Sequence, residues 1–131
     1  MTDKVAALAV AEEVRMDSAQ LRRIVTELGE VAGESVIQLA LEQMAMTART
    51  LCDLAQQGCE GQVIAQAEKL SRMAWQLGLV SLAGVAVDVA DCAKRGDAVA
   101  LGATAARMLR LANVSLTGIW DCDWNADSGG G

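Results

Sequence analysis

This chain predicts an all-α fold, an antiparallel bundle of helices, on three observations. Its 131 residues include no proline, so nothing interrupts a helical hydrogen-bond ladder, and strong helix formers such as Ala and Leu are abundant. Apolar side chains recur at alternating steps of three and four, the spacing that gathers them on one helix face. Glycines fall between these periodic stretches, where they end one helix before the next begins.

The first element opens at Asp17, which caps a helix with Gln20 three residues on. Leu21, Ile24, Val25 and Leu28 form its apolar stripe and Gly29 closes it. A longer helix from about Gly33 to Gln57 carries Ile37, Leu41, Met44, Ala48, Leu51 and Ala55 inward. Gly58 to Gly61 makes a break, after which Val63, Ala67, Leu70, Ala74 and Leu77 define a third helix ending at Gly78. Leu79, Leu82, Ala86, Val89 and Ala93 define a fourth, with Asp88, Asp91, Lys94 and Arg95 toward water. Gly96 and Asp97 together stop that helix and cap the next, because glycine suits the left-handed residue after a helix and aspartate the residue before one. Leu101, Ala105, Met108 and Ala112 face inward on the fifth, flanked by Leu109 and Leu116, and the helix is expected to end near Trp120.

Short connections make consecutive helices antiparallel neighbours, so the expected architecture is an up-down-up-down four-helix bundle with the additional Asp17 helix across one end. Residues 1–16 read as a lead-in, 17–120 as one helical domain and 121–131 as a flexible acidic, Gly-ended tail. The apolar stretch from Val5 to Ala11 is preceded by Asp3 and followed by Glu12 and Glu13, which suits a lead-in better than a secretory core.

Composition narrows the functions open to such a bundle. Phe and Tyr are absent and the three tryptophans are the only aromatics, so a core must be assembled from Ala, Leu, Val, Ile and Met, which favours close helix packing. The net charge of −6, with no concentrated basic patch, argues against sequence-independent binding to nucleic acid or to an anionic membrane. No apolar run approaches the roughly 20 residues that span a bilayer, so the expected setting is cytoplasmic. The absence of histidine excludes histidine-dependent haem and di-iron sites, and the chain is not expected to hold a cofactor.

Cys52, Cys59, Cys92 and Cys122 lack the close pairing of a zinc site, so no metal is expected. Cys52 and Cys92 sit among apolar helical positions as small core residues, while Cys59 and Cys122 are placed as exposed thiols. Asp121, Asp123, Asn125 and Asp127 are spaced like the opening of a calcium loop. Ala126 stands at its glycine position and no closing glutamate follows, so a solvated tail is the better reading. Trp120 and Trp124 are assigned to the bundle end or to that tail.

The stretch from Ala67 to Leu82, AEKLSRMAWQLGLVSL, carries one more signal in the spacing of Leu70, Ala74, Leu77, Gly78 and Leu82. It resembles the active helix of histidine phosphotransfer (HPt) domains, four-helix carriers that pass phosphoryl groups between receiver domains in two-component signalling. The family pattern reads roughly His-x-Leu-Lys-Gly-x-Ala-x-x-Leu-Gly. The resemblance spans roughly Val14 to Ile119 and includes the opening Asp17 and Leu21 and the junction of Gly96 and Asp97. It implies an HPt-like four-helix fold, a place in a phosphorelay, and a response-regulator receiver domain or a histidine kinase as partner.

Three departures fall on the reacting positions. Glu68 stands where the family has its phospho-accepting histidine, Ser71 where it has a phosphate-neutralising lysine, and Arg72 where it has a glycine that lets the receiver come close. A carboxylate is a feeble nucleophile toward an anionic phosphoryl donor and carries like charge. The expected role is docking without phosphotransfer, and no catalytic residue is assigned. Glu68 and Arg72 stand four residues apart in the order that favours a surface ion pair, which is the plainer reading of both. The sharper one makes Glu68 a partial mimic of phosphohistidine. Ile64, Glu68, Ser71, Arg72 and Trp75 share one side of the third helix and form the candidate docking face. Trp75 there is open to two roles, a recognition residue or a side chain packed on the neighbouring helix. The alternative function is a self-associating helical scaffold or adaptor unrelated to phosphotransfer.

Overall fold

The computed structural model describes residues 16–118, and among them every regular element is a helix. The order is α1 (Ser18–Leu28), α2 (Glu30–Gln57), α3 (Glu60–Gln76), α4 (Val80–Arg95) and α5 (Ala98–Gly118). The all-α expectation is met. None of these helices is long and apolar enough to cross a membrane. The lead-in up to Arg15, Trp120, Trp124, Cys122 and the calcium-loop-like tail lie outside the described residues.

The helices end where the capping chemistry places them. The Asp17 carboxylate accepts a hydrogen bond from the Ala19 N–H at 3.1 Å and the Asp97 carboxylate one from the Ala100 N–H at 3.0 Å, opening α1 and α5. Gly58 and Gly96 stand in the left-handed region just after α2 and α4.

Packing is bundle-like. α2 lies against α3 and α5, α3 against α4, α4 against α5, and α1 chiefly against α2. The predicted inward positions of the four longer helices line a continuous core, with Ile37, Met44, Leu51, Val63, Leu70, Leu82, Val89 and Met108 fully buried. Ala67, Ala74, Ala86 and Ala112 are buried beside them. Among the described residues this core holds no aromatic side chain, and it is filled by bringing backbones close, which the small side chains permit.

Two details of the first hairpin differ from expectation. α2 begins at Glu30, immediately after Gly29, instead of at Gly33. Gly33 is buried inside the helix because α1 crosses it there: a Cβ at Gly33 would lie 2.9 Å from the Val25 Cα, so the residue that reads as a helix boundary is a close-approach site. Leu28, predicted to lie on the inner stripe of α1, is about half exposed. Leu21 is the one residue of α1 that is fully enclosed, while Ile24 and Val25 are half-buried, as suits a short helix resting mainly on one neighbour.

The turn between α3 and α4 also anchors the start of α1. Gly78 is buried with φ +81°, and its carbonyl accepts the Asp17 N–H at 2.6 Å. A Cβ on Gly78 would collide with the carbonyl oxygen of Asp17. Residues 61 positions apart are thereby held backbone to backbone.

Candidate functional site

α3 owes its two-sided character to spacing. Val63, Ala67, Leu70 and Ala74 point into the core. Positions 64, 68, 71, 72 and 75 consequently fall on or beside the outer side, and the structure grades them from the core edge to open solvent. Ile64 is half-buried and packs against the core cluster. Ser71 is half-buried too, and its hydroxyl donates to the Ala83 carbonyl on α4 at 3.1 Å, so it ties α3 to α4. Glu68 and Arg72 are exposed, and Trp75 is 63% exposed. Most of the indole therefore faces solvent, and packing on the neighbouring helix does not account for it.

Glu68 finds its cation across helices. Its Oε2 lies 3.4 Å from Nζ of Lys94 on α4, and this contact replaces the expected pairing with Arg72. The i to i+4 rule considers one helix at a time, whereas the α3–α4 packing brings the end of α4 alongside Glu68. Both side chains are about half exposed, so the pair contributes at most several tenths of a kcal/mol. Lys94 offsets the Glu68 charge, which leaves the carboxylate a poor substitute for a phosphoryl group. The centre of the face is a near-neutral pair, with the Arg72 cation and the Trp75 ring exposed on the same helix.

Among the described residues no cysteine is set out as a nucleophile. Cys92 is buried, with Sγ 3.6 Å from the Thr104 hydroxyl and 3.5 Å from Nη2 of Arg95. Cys52 is half-buried and donates to the Ala105 carbonyl at 3.5 Å. Burial, reinforced by the neighbouring Asp53 charge, pushes its thiol pKa up, away from the thiolate that reactivity requires. Cys59 is half-buried beside the Gln57 amide oxygen, not fully exposed as expected. Among the described residues no cluster of three or more Cys, Asp or Glu is placed to hold a metal ion.

The residue that sequence reasoning missed is Lys94. Its place on the watery side of the fourth helix follows from that helix's own period, but no periodic pattern links positions 68 and 94. Set against protein-family models, curated proteins and solved structures, the chain matches none.

Proposed function

We propose that the chain is an HPt-like signalling module that docks a receiver or histidine-kinase domain through the outer face of α3 and does not carry a phosphoryl group itself. In this reading α2 to α5 form the up-down-up-down four-helix bundle of that family and α1 is the additional N-terminal helix. The order of helix contacts supports that arrangement, since α2, α3, α4 and α5 each pack on the next and α5 returns to α2. The observation that carries the functional reading is Trp75: a large aromatic, mostly exposed, on the helix whose Leu70 and Ala74, together with Leu77 and Gly78 in the turn that follows, keep the HPt spacing. Exposed aromatics of this kind are enriched among the residues that anchor protein–protein contacts. The module is proposed to be cytoplasmic and non-enzymatic, with a protein as its partner in place of a nucleic acid or a membrane.

Two results are expected. Incubation with radiolabelled, phosphorylated receiver domains leaves no label on this chain, because Glu68 replaces the accepting imidazole; stable label at any residue would overturn the docking-only reading. Trp75→Ala weakens binding to a cognate receiver by about 1 kcal/mol or more in titration calorimetry. Glu68→Gln changes the affinity less, since an exposed charge acts mainly on association rate. Equal affinities for the wild type and Trp75→Ala would move the docking site elsewhere.

A scaffold or adaptor unrelated to phosphotransfer is the second reading. It is favoured by a separate observation, the exposed apolar side chains on the outer side of α2.

A further inference from the structure

The packing of α5 on α2 has a direction and a register. The short connections make the two helices antiparallel, and the Cys52 thiol donates to the Ala105 carbonyl at 3.5 Å. Gly118, thirteen residues after Ala105, therefore comes level with Leu39, thirteen before Cys52. α2 begins nine positions earlier still, at Glu30, so its first turns run past the described end of α5. α1 covers one side of that extension, where Gly33 and Ile37 are buried, and leaves the side of Val31 open at 82% exposure.

The open side continues the α2–α5 seam. Cys52 and Gln56 on α2 face Gly102 and Ala106 on α5 across a groove. Glu34 and Gln38 stand eighteen positions before Cys52 and Gln56, five full turns, and so lie on the same side of α2. With Val31 they line a shallow concavity that prolongs the groove beyond Gly118. The sequence after Gly118 has the matching phase. Trp120 and Trp124 stand eighteen positions after Gly102 and Ala106, again five turns, so a helix carried past Gly118 brings both indoles over that concavity.

We propose that residues 119–124 extend α5 along α2 and seat Trp120 and Trp124 on Val31, Glu34 and Gln38. This contact is separate from the α3 face and does not depend on docking there. The chain's own segment is the occupant because the concavity continues an interface the molecule already makes, and Trp120 is tethered two residues from its edge. Residues 119–124 make about 9 Å of helix, within the roughly 14 Å of α2 that lies past Gly118. The tether gives the indoles a high effective concentration at the patch. Covering them removes large apolar surfaces from water, and the Glu34 carboxylate and the Gln38 amide oxygen offer the acceptors that a covered indole N–H needs. The register contains one opposing contact, since Asp123 comes level with Glu34. Glu34 is only half-buried, so water screens that pair and burial of two indoles outweighs it. A partner that used this end of α2 would have to displace the segment.

The test is tryptophan emission and acrylamide quenching of the full chain carrying Trp75→Phe, so that only Trp120 and Trp124 report. The native emission is expected to lie to the blue of the urea-unfolded chain, with lower quenching, independently of protein concentration. Val31→Asp places an acidic residue in the first turn of α2, where the helix dipole favours it, so the fold is kept. That variant is expected to shift the emission to the red and raise quenching with unchanged helical circular dichroism. Asp123→Asn removes the approach to Glu34 and is expected to lower quenching further. Native emission equal to that of the unfolded chain, the result if the patch serves an unrelated partner, overturns the proposal. A blue shift that grows with concentration gives the patch to a second copy and overturns it as well. A blue shift indifferent to Val31→Asp overturns the proposed surface, and quenching indifferent to Asp123→Asn overturns the register.

Discussion

Gly78→Ala is expected to cost roughly 3 kcal/mol of stability, the largest effect of any single methyl group added to this chain. Two independent penalties meet at that position. Its φ of +81° is one that an L side chain adopts only with strain, and the added Cβ has no room because the Asp17 carbonyl oxygen already occupies its place. Neither atom moves cheaply. The Asp17 backbone is fixed by its N–H bond to the Gly78 carbonyl, and the Asp17 side chain is at the same time capping α1 through Ala19. Relieving the clash therefore means lifting α1 from the turn or distorting the turn itself. Against the 5–15 kcal/mol that separates folded from unfolded domains, such a loss is a large fraction. The urea midpoint followed by circular dichroism reads it out. Gly84→Ala on the exposed side of α4 is the control with the opposite expected sign: nothing lies within 4 Å of the added Cβ, and replacing glycine in a helix interior gains about 0.5–1 kcal/mol. A Gly78→Ala midpoint equal to that of the wild type would show that the link between the turn and α1 is absent in solution.

The contrast between these two glycines shows what the sequence could and could not convey. Most inward faces and several helix boundaries were legible because they follow from periods and caps that any single helix must obey. Ile37, Met44 and Leu51 on α2, or Leu82, Val89 and Ala93 on α4, are buried where the spacing put them. The caps at Asp17 and Asp97 were legible for the same reason, as local chemistry. Contacts set by how helices cross one another were not legible. Gly33 reads as a boundary until Val25 is seen pressed against it, and Gly78 reads as a helix stop until Asp17 is found on its far side. The candidate face divides along the same line. Its membership came from positions on α3 alone, whereas the partners of Glu68 and Ser71, Lys94 and Ala83, both belong to α4. Trp75 was open to two roles because solvent exposure depends on the neighbouring helix and not on its own periodicity.

Lys94 also gives physical content to the second large effect, a gain of function. The double variant Glu68→His, Arg72→Gly is expected to accept acid-labile phosphate from a receiver domain that leaves the wild type unlabelled. In such a transfer an imidazole nitrogen attacks phosphorus, the bond to the receiver's aspartyl oxygen breaks, and that carboxylate leaves. Residue 68 is exposed on α3, which gives an imidazole there access to the donor, and removing the Arg72 side chain clears the adjacent turn for a close approach. The charge of the transferred group still needs a cation. Ser71, at the family's lysine position, cannot supply one and is engaged with the Ala83 carbonyl. The Lys94 ammonium, 3.4 Å from the present Glu68 carboxylate, stands within reach of a phosphoryl group at residue 68 and takes over that role from the neighbouring helix. Adding Lys94→Ala to the double variant is therefore expected to lower the labelling, while leaving stability nearly unchanged because Lys94 is exposed and has already lost its Glu68 partner in that variant. Glycine at 72 costs about 1 kcal/mol within the helix, so circular dichroism accompanies the transfer assay. A folded double variant that takes no label from any receiver of its own organism would separate this chain from the phosphorelay carriers and favour the scaffold reading. Labelling that is indifferent to Lys94→Ala would keep the relationship and assign the neutralising charge to another group.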